Sequence, residues 1–390
     1  MASLRRISYL WKDADAARNY STAVSLHSHT NQSKETLDFL ANLGNQYPLL
    51  RPILARSERQ SREQHNIPVN YAKAYWTPPL TPRIAFDVES GQIEKNLHLM
   101  PLVSITDHDT IAAPMLLRTV AAARHIPVSV EWSAPFGGDQ AFHLGIHNLP
   151  SDSGAAWMKT FEEYTAHPNE KKLTEILAAL HELPNVLIVF NHPMWDLYLI
   201  GADKAAQRVD DFLQANHEFM HAFELNGLRH WEENRSVKRL AQKWNKLLIS
   251  GGDRHGMEPN ANVNLSLAST FTEFVQELRY EDRSHVLFMP QYAQPWKHRI
   301  LQSTLDAIRD YPDFPQGSRT WDERVWHPDR NGVVRPLREL WPDGAAPTWM
   351  TLTIKAVRLM GSSPVSGGLR MAWNESRELR FALGEELISR

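Results

Sequence analysis

The sequence predicts an α/β fold, on two observations. Strand-like stretches alternate with stretches of helical periodicity over most of the 390 residues, as in a sheet joined by crossover helices. Polar and potentially ligating side chains follow the ends of many different strand-like stretches. In a closed α/β barrel those ends converge on one mouth, whereas an open sheet concentrates them at one switch point. The dispersed positions therefore favour a barrel.

The predicted elements follow from hydrophobic periodicity and from apolar, partly β-branched runs. Strands are expected at residues 22–26, 102–105, 126–130, 142–146, 186–190, 222–226 and 247–249. Helices are expected at residues 37–43, 112–125, 154–166, 170–183, 204–220 and 232–246. The core would be a barrel over residues 21–285, preceded by a polar lead-in over residues 1–20.

Two regions break this alternation. Residues 45–100 contain six prolines between positions 48 and 82, and we expect an irregular insertion or lid there, because proline is poorly tolerated inside helices and central strands. A long loop between ligand groups would shape substrate access. Residues 286–390, rich in Trp, Arg and Pro, are expected to form an appendage on the barrel or a dimerisation element. Within that region, 351–360 would be a strand and 375–383 a helix or a strand.

Composition excludes several function classes. The chain has no cysteine, so disulfides, thiolate metal sites and cysteine nucleophiles are excluded, and any metal must bind through His, Asp or Glu. The net charge of -3 gives no broad basic field for nucleic acid. No apolar run approaches the ~20 residues of a membrane helix, and the first twenty residues lack the apolar core of a signal peptide. We therefore expect a cytoplasmic protein that does not bind membranes.

The first candidate ligands are histidines at the ends of two predicted strands. His27 and His29 are two apart in an extended segment, so both imidazoles lie on one face and can reach one ion. Asp107 and His108 follow the next strand, where a metal would compensate a buried carboxylate. Asp109 equally fits an N-cap for the helix that follows. Each motif alone also occurs by chance without a metal.

Further candidates follow the later strands. Glu131 ends an apolar run: such a residue usually faces solvent, but one carboxylate can also bridge two cations ~3.5–4 Å apart. His143 lies in a short strand, and His192 follows a strongly apolar one. The Gly-Gly turn after the last predicted strand leads into Asp253 and His255. Carboxylates mixed with imidazoles suit Zn, Mn or Fe rather than Ca or Mg.

The order of these motifs resembles the PHP (polymerase and histidinol phosphatase) family. His-x-His, Thr-Asp-His-Asp-Thr, Val-Glu-Trp-Ser, Phe-His-Leu-Gly, Asn-His-Pro and Gly-Gly-Asp-x-His occur in that sequence over roughly residues 22–256. The resemblance implies a distorted seven-stranded (β/α)7 barrel and two or three divalent ions (Zn, Mn or Fe) that hydrolyse phosphate esters. It also implies three ligand groups: His27, His29, Glu131 and Asp253; Glu131, His143 and His192; His108 and His255.

One position departs from the family pattern. Many members carry an acidic residue or His five positions after the second His of the first motif, as a third-metal ligand, and here that residue is Lys34. Either Glu35 substitutes after a one-residue shift, or the third metal is weak or absent, or Lys34 binds a phosphate oxygen as a point charge. Arg254 and Arg229 are further candidates for binding phosphate, because a guanidinium matches it bidentately.

The predicted activity is hydrolysis of a small phosphorylated substrate by a metal-activated water. Asp253, His255 and His192 are the residues expected to act in catalysis, the two histidines as candidate donors to the leaving alkoxide. A metal-dependent amidohydrolase on a related barrel is the alternative enzyme, and a non-catalytic metal-binding module is the alternative outside enzymes. A nuclease receives no support from the charge balance.

Overall fold

The computed structural model describes residues 5–37, 51–65, 69–310 and 320–373. They form three sheets and twelve α-helices, numbered here in chain order. The first sheet has the strand order β1-β12-β11-β2-β5. Its strands are β1 (Arg5–Tyr9), β2 (Thr22–Ser25), β5 (Met100–Val103), β11 (Asn262–Ser266) and β12 (Ser284–Phe288). β1 pairs with β12 and β2 with β5 in parallel, whereas β11 is antiparallel to both of its neighbours.

The second sheet has the order β10-β9-β8-β7-β6. Its strands are β6 (Val128–Phe136), β7 (Gln140–Leu149), β8 (Leu187–Phe190), β9 (Ala222–Asn226) and β10 (Leu247–Gly251). β8, β9 and β10 are parallel, and β6, β7 and β8 are antiparallel. A small third sheet has the order β14-β13-β4-β3. It contains β3 (Glu35–Thr36), β4 (Tyr75–Trp76), β13 (Val325–Pro328) and β14 (Val334–Pro336).

The described residues contain twelve α-helices. They are α1 (Arg51–His65), α2 (Pro82–Leu97), α3 (Ala112–Leu117), α4 (Gly154–Ala166), α5 (Glu170–His181), α6 (Ala202–Asn216), α7 (Trp231–Trp244), α8 (Phe271–Arg279), α9 (Trp296–Ala307), α10 (Leu337–Leu340), α11 (Thr348–Met360) and α12 (Ser363–Ala372). None of the helices in these ranges combines the length and the apolar character that crossing a bilayer requires.

Helix α5 illustrates how sequence pattern makes an element. The side chain of Asn169 accepts a hydrogen bond from the Lys172 N–H and caps the first turn. Four apolar side chains at helical spacing then bury one face of the helix: Leu173, Ile176, Leu177 and Leu180. This face belongs to the same core as the buried strand β8. Packing of an apolar helix face against a strand in this way holds in place the strands whose ends carry the site.

The mixed α/β class is confirmed, but the closed barrel is not. In the described residues the hydrogen-bonded ladders form separate sheets, and the two large sheets are mixed rather than parallel. Two isolated bridges join the large sheets: Ser28, after β2, pairs with Arg254, after β10, and His108, after β5, pairs with Glu131 in β6. The two sheets therefore meet where the predicted ligands lie.

Some sequence predictions for the insertion and the lead-in were wrong. The 45–100 region is not irregular throughout, since it contains α1 and α2. Pro82 stands at the first turn of α2, where a missing N–H costs nothing, and Thr81 caps that helix. The polar lead-in contains β1. Of the predicted 37–43 helix, residues 38–43 lie outside the described residues, and Leu37, which follows strand β3 directly, is not helical.

The C-terminal predictions also need correction. The proposed boundary at residue 285 cuts through β12, which belongs to the first sheet. Residues 351–360 lie in helix α11 and not in a strand. The predicted element at 375–383 lies outside the described residues. Farther upstream, Glu131 stands inside the long strand β6 rather than at a strand end.

Candidate metal centre

All eight predicted ligands lie in one buried cluster at the junction of the two large sheets. The loop after β2 carries His27 and His29, and the loop after β5 carries His108. Strands β6 and β7 carry Glu131 and His143. The loops after β8 and β10 carry the remaining ligands, which are His192, Asp253 and His255. His27, His192 and Asp253 have positive φ angles of 65°, 27° and 54°. Non-glycine residues rarely adopt this conformation, and such strain concentrates at functional sites.

One oxygen of Glu131 faces three imidazoles. Its Oε2 lies 2.9 Å from His27 Nε2, 3.2 Å from His29 Nε2 and 3.3 Å from His108 Nε2. Asp253 adds a second carboxylate on this side, with Oδ1 3.7 Å from His27 Nε2 and 3.6 Å from His29 Nε2. His27, His29 and Asp253 are close enough together to hold one ion.

The other oxygen of Glu131 faces a second pair of imidazoles. Its Oε1 lies 3.2 Å from His192 Nε2 and 3.4 Å from His143 Nδ1. The Asn191 side-chain amide donates to the same oxygen at 2.9 Å and fixes the orientation of the carboxylate. Glu131 thus stands between two sets of imidazoles, as a carboxylate that bridges two cations would.

Glu35 forms a third group with three histidines. Its Oε2 lies 3.1 Å from both His108 Nε2 and His255 Nε2, and its Oε1 lies 3.5 Å from His29 Nδ1. The neighbouring Lys34 is exposed, with its ammonium 5.4 Å from the ring centre of Tyr75. Of the three alternatives for this position, the geometry favours substitution by Glu35.

Unpartnered buried atoms test whether this donor set fits a metal. His27 Nε2, His29 Nε2, His143 Nδ1 and Glu131 Oε2 are buried without a hydrogen-bond partner. A buried polar atom left unpaired costs about 1–3 kcal/mol, so four converging in one cluster indicate a ligand of another kind. Imidazole and carboxylate donors suit Zn, Mn or Fe. The residues present therefore fit divalent cations.

The electrostatics keep the carboxylates ionised. Burial alone would raise the pKa of Glu131, but His27 and His108 beside it hold that pKa well below its usual value. Burial also acts to raise the pKa of Asp253, and again the imidazoles, with Arg229, lower it instead. Burial lowers the pKa of His143 to about 4, so this imidazole is neutral at pH 7. Anionic oxygens beside a neutral imidazole are the forms that bind cations.

Glu224, at the middle of strand β9, is a member of the site that sequence reasoning missed. Its Oε1 accepts from His27 Nδ1 at 2.6 Å, and its Oε2 accepts from the backbone N–H of His192 at 2.7 Å. A carboxylate behind a ligating imidazole fixes the ring's tautomer and orientation. A charged residue in an otherwise apolar buried strand was the available signal, the same signal that singled out Glu131.

Asp107 does not belong to the ligand groups. Its carboxylate accepts from the backbone N–H and the hydroxyl of Thr30, next to His29. It was expected to require compensation by a metal, and hydrogen bonds supply that compensation instead. Asp109 accepts from the Ser133 N–H and does not cap the following helix through its side chain.

The three cationic candidates for substrate binding, Lys34, Arg229 and Arg254, differ in their contacts with the metal-centre cluster. The Arg229 guanidinium lies 3.6 Å from Asp253 Oδ2 and stacks 3.9 Å from the centre of the Trp195 ring. The Trp195 ring centre is 5.0 Å from that of His192, which puts this cation at the edge of the cluster. Arg254 instead donates to the carbonyl and the carboxylate of Glu258. Arg229 is therefore the cation best placed to receive an anion.

Comparison with known proteins adds distant structural likenesses. No family model and no curated protein matches the chain. An amidohydrolase from Chromobacterium violaceum, solved with bound sulfate and no metal, is 14% identical with a TM-score of 0.35, over 69% of this chain and 92% of that one. PsfC from Pseudomonas syringae is 13% identical with a TM-score of 0.41, over 73% and 96%.

A third similar structure comes from Bifidobacterium adolescentis, where the assignment as a metal-dependent phosphoesterase is provisional. It is 14% identical with a TM-score of 0.31, over 52% of this chain and 91% of that one. Likenesses at this level say nothing about the activity of the present chain.

Proposed function

We propose that this protein is a metal-dependent phosphoesterase of the PHP type, which hydrolyses a small phosphorylated substrate with two or three Zn, Mn or Fe ions. The observation that carries the proposal is Glu131, whose two oxygens face separate sets of imidazoles. Such a carboxylate is what a pair of ions in a hydrolytic site requires. The motif order supports the PHP type and its barrel-like arrangement.

Two groups of residues would hold the first two ions. His27, His29 and Asp253 surround one side of Glu131, and His143 and His192 the other side. Bound there, the ions would supply Lewis acidity toward a phosphoryl oxygen and lower the pKa of a coordinated water. Burial of the cluster strengthens every electrostatic interaction within it, because the local dielectric is low.

The remaining roles fall to residues at the edge of the cluster. The Arg229 guanidinium would bind phosphate oxygens and neutralise the charge that develops during displacement. Trp195, stacked on one face of the guanidinium, would hold its plane toward the site. His255 and His192 are the candidates for giving a proton to the leaving alkoxide. An imidazole bound to a metal is less available as an acid, so the one that gives the proton would be the one not bound to an ion.

The test compares metal-loaded wild type with Glu131→Gln on a panel of phosphate esters, amides and lactones. We expect turnover of phosphate esters only, and its loss in the variant together with bound Mn²⁺. The exposed Glu162→Gln on helix α4 is the matched control and should keep both properties. Turnover confined to amides or lactones would make the protein an amidohydrolase. Undiminished phosphatase activity of Glu131→Gln would overturn the assignment.

A further inference from the structure

Glu35 is held by a very small element of structure. Strand β3 is two residues long, and in its ladder Glu35 stands opposite Trp76 of strand β4, which is itself only two residues long. A two-residue ribbon has little stability alone, because stable sheets need three or more strands or other packing. The position of Glu35 therefore depends on what holds β4.

The C-terminal part of the chain holds β4. Strand β13 pairs with β4 on the side opposite β3, with Trp326 opposite Tyr75. The two rings stack with centres 5.9 Å apart and planes within 11° of parallel. On one side of this pairing, the Thr77 N–H donates to the Arg324 carbonyl at 2.9 Å. Strand β3, which carries Glu35, is therefore attached through β4 to residues nearly 300 positions away in sequence.

Strand β4, which pairs with β13, also contacts the metal ligands directly. On the other side of the pairing, the Asn70 N–H donates to His327 Nε2 at 2.9 Å. Trp76 packs against His255, with ring centres 5.7 Å apart. β4 therefore contacts the group of His29, Glu35, His108 and His255 in two ways. It pairs with β3, which carries Glu35, and its Trp76 side chain packs against His255. The ligands around Glu131 are carried instead by the two large sheets and the loops after their strands.

We propose that the C-terminal segment at residues 324–328, through the stack of Trp326 on Tyr75, sets the affinity of the Glu35 group for a third divalent ion. Trp326 is a positioning residue in this scheme, since it acts on Glu35 through β4. The inference rests on the proposed metal centre, but it concerns one ion only. The two ions at Glu131 should be much less sensitive to this segment, because sheet 3 contributes none of their ligands and reaches only His29 among them, through Glu35.

The experiment counts bound ions against free concentration by equilibrium dialysis with Mn²⁺ and elemental analysis. We expect wild type to bind three equivalents. Trp326→Ala should bind one of them about 10- to 100-fold more weakly, the usual effect of removing support for a ligand. Trp326→Phe, which keeps a ring to stack, should restore the affinity. Trp349→Ala, on α11 of the same C-terminal region, is the matched control and should bind as wild type.

A double variant tells whether the affected ion is the one at Glu35. Glu35→Gln should lose the same equivalent, and Trp326→Ala with Glu35→Gln should lose no more than either alone. Loss of a second equivalent in the double variant, or unchanged binding by Trp326→Ala, would overturn the inference. If Trp326→Ala fails to fold, Tyr75→Ala removes the other ring of the stack and should give the same weakening.

The outcomes separate this inference from the proposed function. A wild type that binds no Mn²⁺ at all contradicts the metal centre itself. A wild type that binds two equivalents, neither affected by Glu35→Gln, overturns the role of the C-terminal segment and leaves the phosphoesterase proposal standing.

Discussion

The Nδ1 atom of His27 lies 2.6 Å from Oε1 of Glu224, and both side chains are buried. This contact directs the opposite nitrogen, Nε2, toward Glu131. The second oxygen of Glu224 receives the backbone N–H of His192. One carboxylate therefore orients ligands that belong to the two different sides of Glu131.

Replacing Glu224 with Gln should weaken Mn²⁺ binding about 10- to 100-fold without unfolding the protein, because the amide lacks the charge that fixes the His27 tautomer. Equilibrium dialysis measures the affinity, and Glu175→Gln, exposed on α5, serves as the control. Gly251→Ala should give a similar loss, since its added methyl carbon would lie 1.5 Å from Glu224 Oε1. Wild-type affinity in both variants would contradict this role.

Arg229→Lys should lower kcat/KM for phosphate esters about 10- to 100-fold and leave metal content unchanged. Lysine keeps the charge but loses the planar fork that binds phosphate bidentately and stacks on Trp195. Steady-state kinetics on the metal-loaded protein measures the effect, with Arg239→Ala, exposed on α7, as the control. An unchanged kcat/KM would remove Arg229 from the residues that bind the phosphate.

Glu89 ties helix α2 to the loops that carry the ligands. Its buried carboxylate accepts from the Ser25 hydroxyl at 2.6 Å and from the Asn260 N–H at 3.0 Å. Glu89→Ala leaves both donors buried and unpaired, so the free energy of unfolding should fall by at least about 2 kcal/mol. Urea unfolding measures it, and the exposed Glu94→Ala on the same helix should be near neutral. Equal stability of the two variants would show that the hydrogen bonds of Glu89 do not stabilise the fold.

Sequence reasoning reached the ligands that follow strands, because a strand end is visible in the chain as an apolar run that stops at a polar residue. His27, His192 and Asp253 were found in this way. It could not assign Glu35, since that depends on pairing with β4 and through it with β13. Nor could it choose between Arg229 and Arg254, because the Glu258 partner of Arg254 and the ring under Arg229 are tertiary contacts.

The larger error in the predicted fold was the expectation of a parallel sheet. The sequence does contain one signal of the antiparallel pairing that the structure shows. Gly137 and Gly138, with φ of 63° and 74°, form the turn that joins β6 to β7. Glycines of this kind between two strand-like runs are typical of an antiparallel hairpin. Helical crossovers elsewhere favoured a parallel sheet, so the two strands were predicted too short and in the wrong orientation.

His221, just before strand β9, lies outside the metal centre and gives a stability prediction with a defined pH range. Its Nδ1 accepts from the Ile188 N–H at 2.8 Å, and its Nε2 faces His181 Nδ1 at 3.1 Å. Burial lowers the pKa of His221 to about 2, and the nearby Arg279 acts in the same direction. The folded protein therefore keeps this imidazole neutral between pH 4.5 and pH 7.5.

The unfolded chain protonates His221 below its ordinary pKa of about 6.5, whereas the folded chain does not, so stability falls as pH falls through that value. His221→Asn keeps an acceptor for the Ile188 N–H and cannot be protonated. Between pH 7.5 and pH 4.5, wild type should lose about 2.5–3 kcal/mol more of its free energy of unfolding than the variant does. Urea unfolding of both proteins at each pH measures this difference, in which the titration of the shared metal-centre histidines cancels. Equal losses in the two proteins would mean that His221 is protonated in the folded state, and that the hydrogen bond from Ile188 does not hold it neutral.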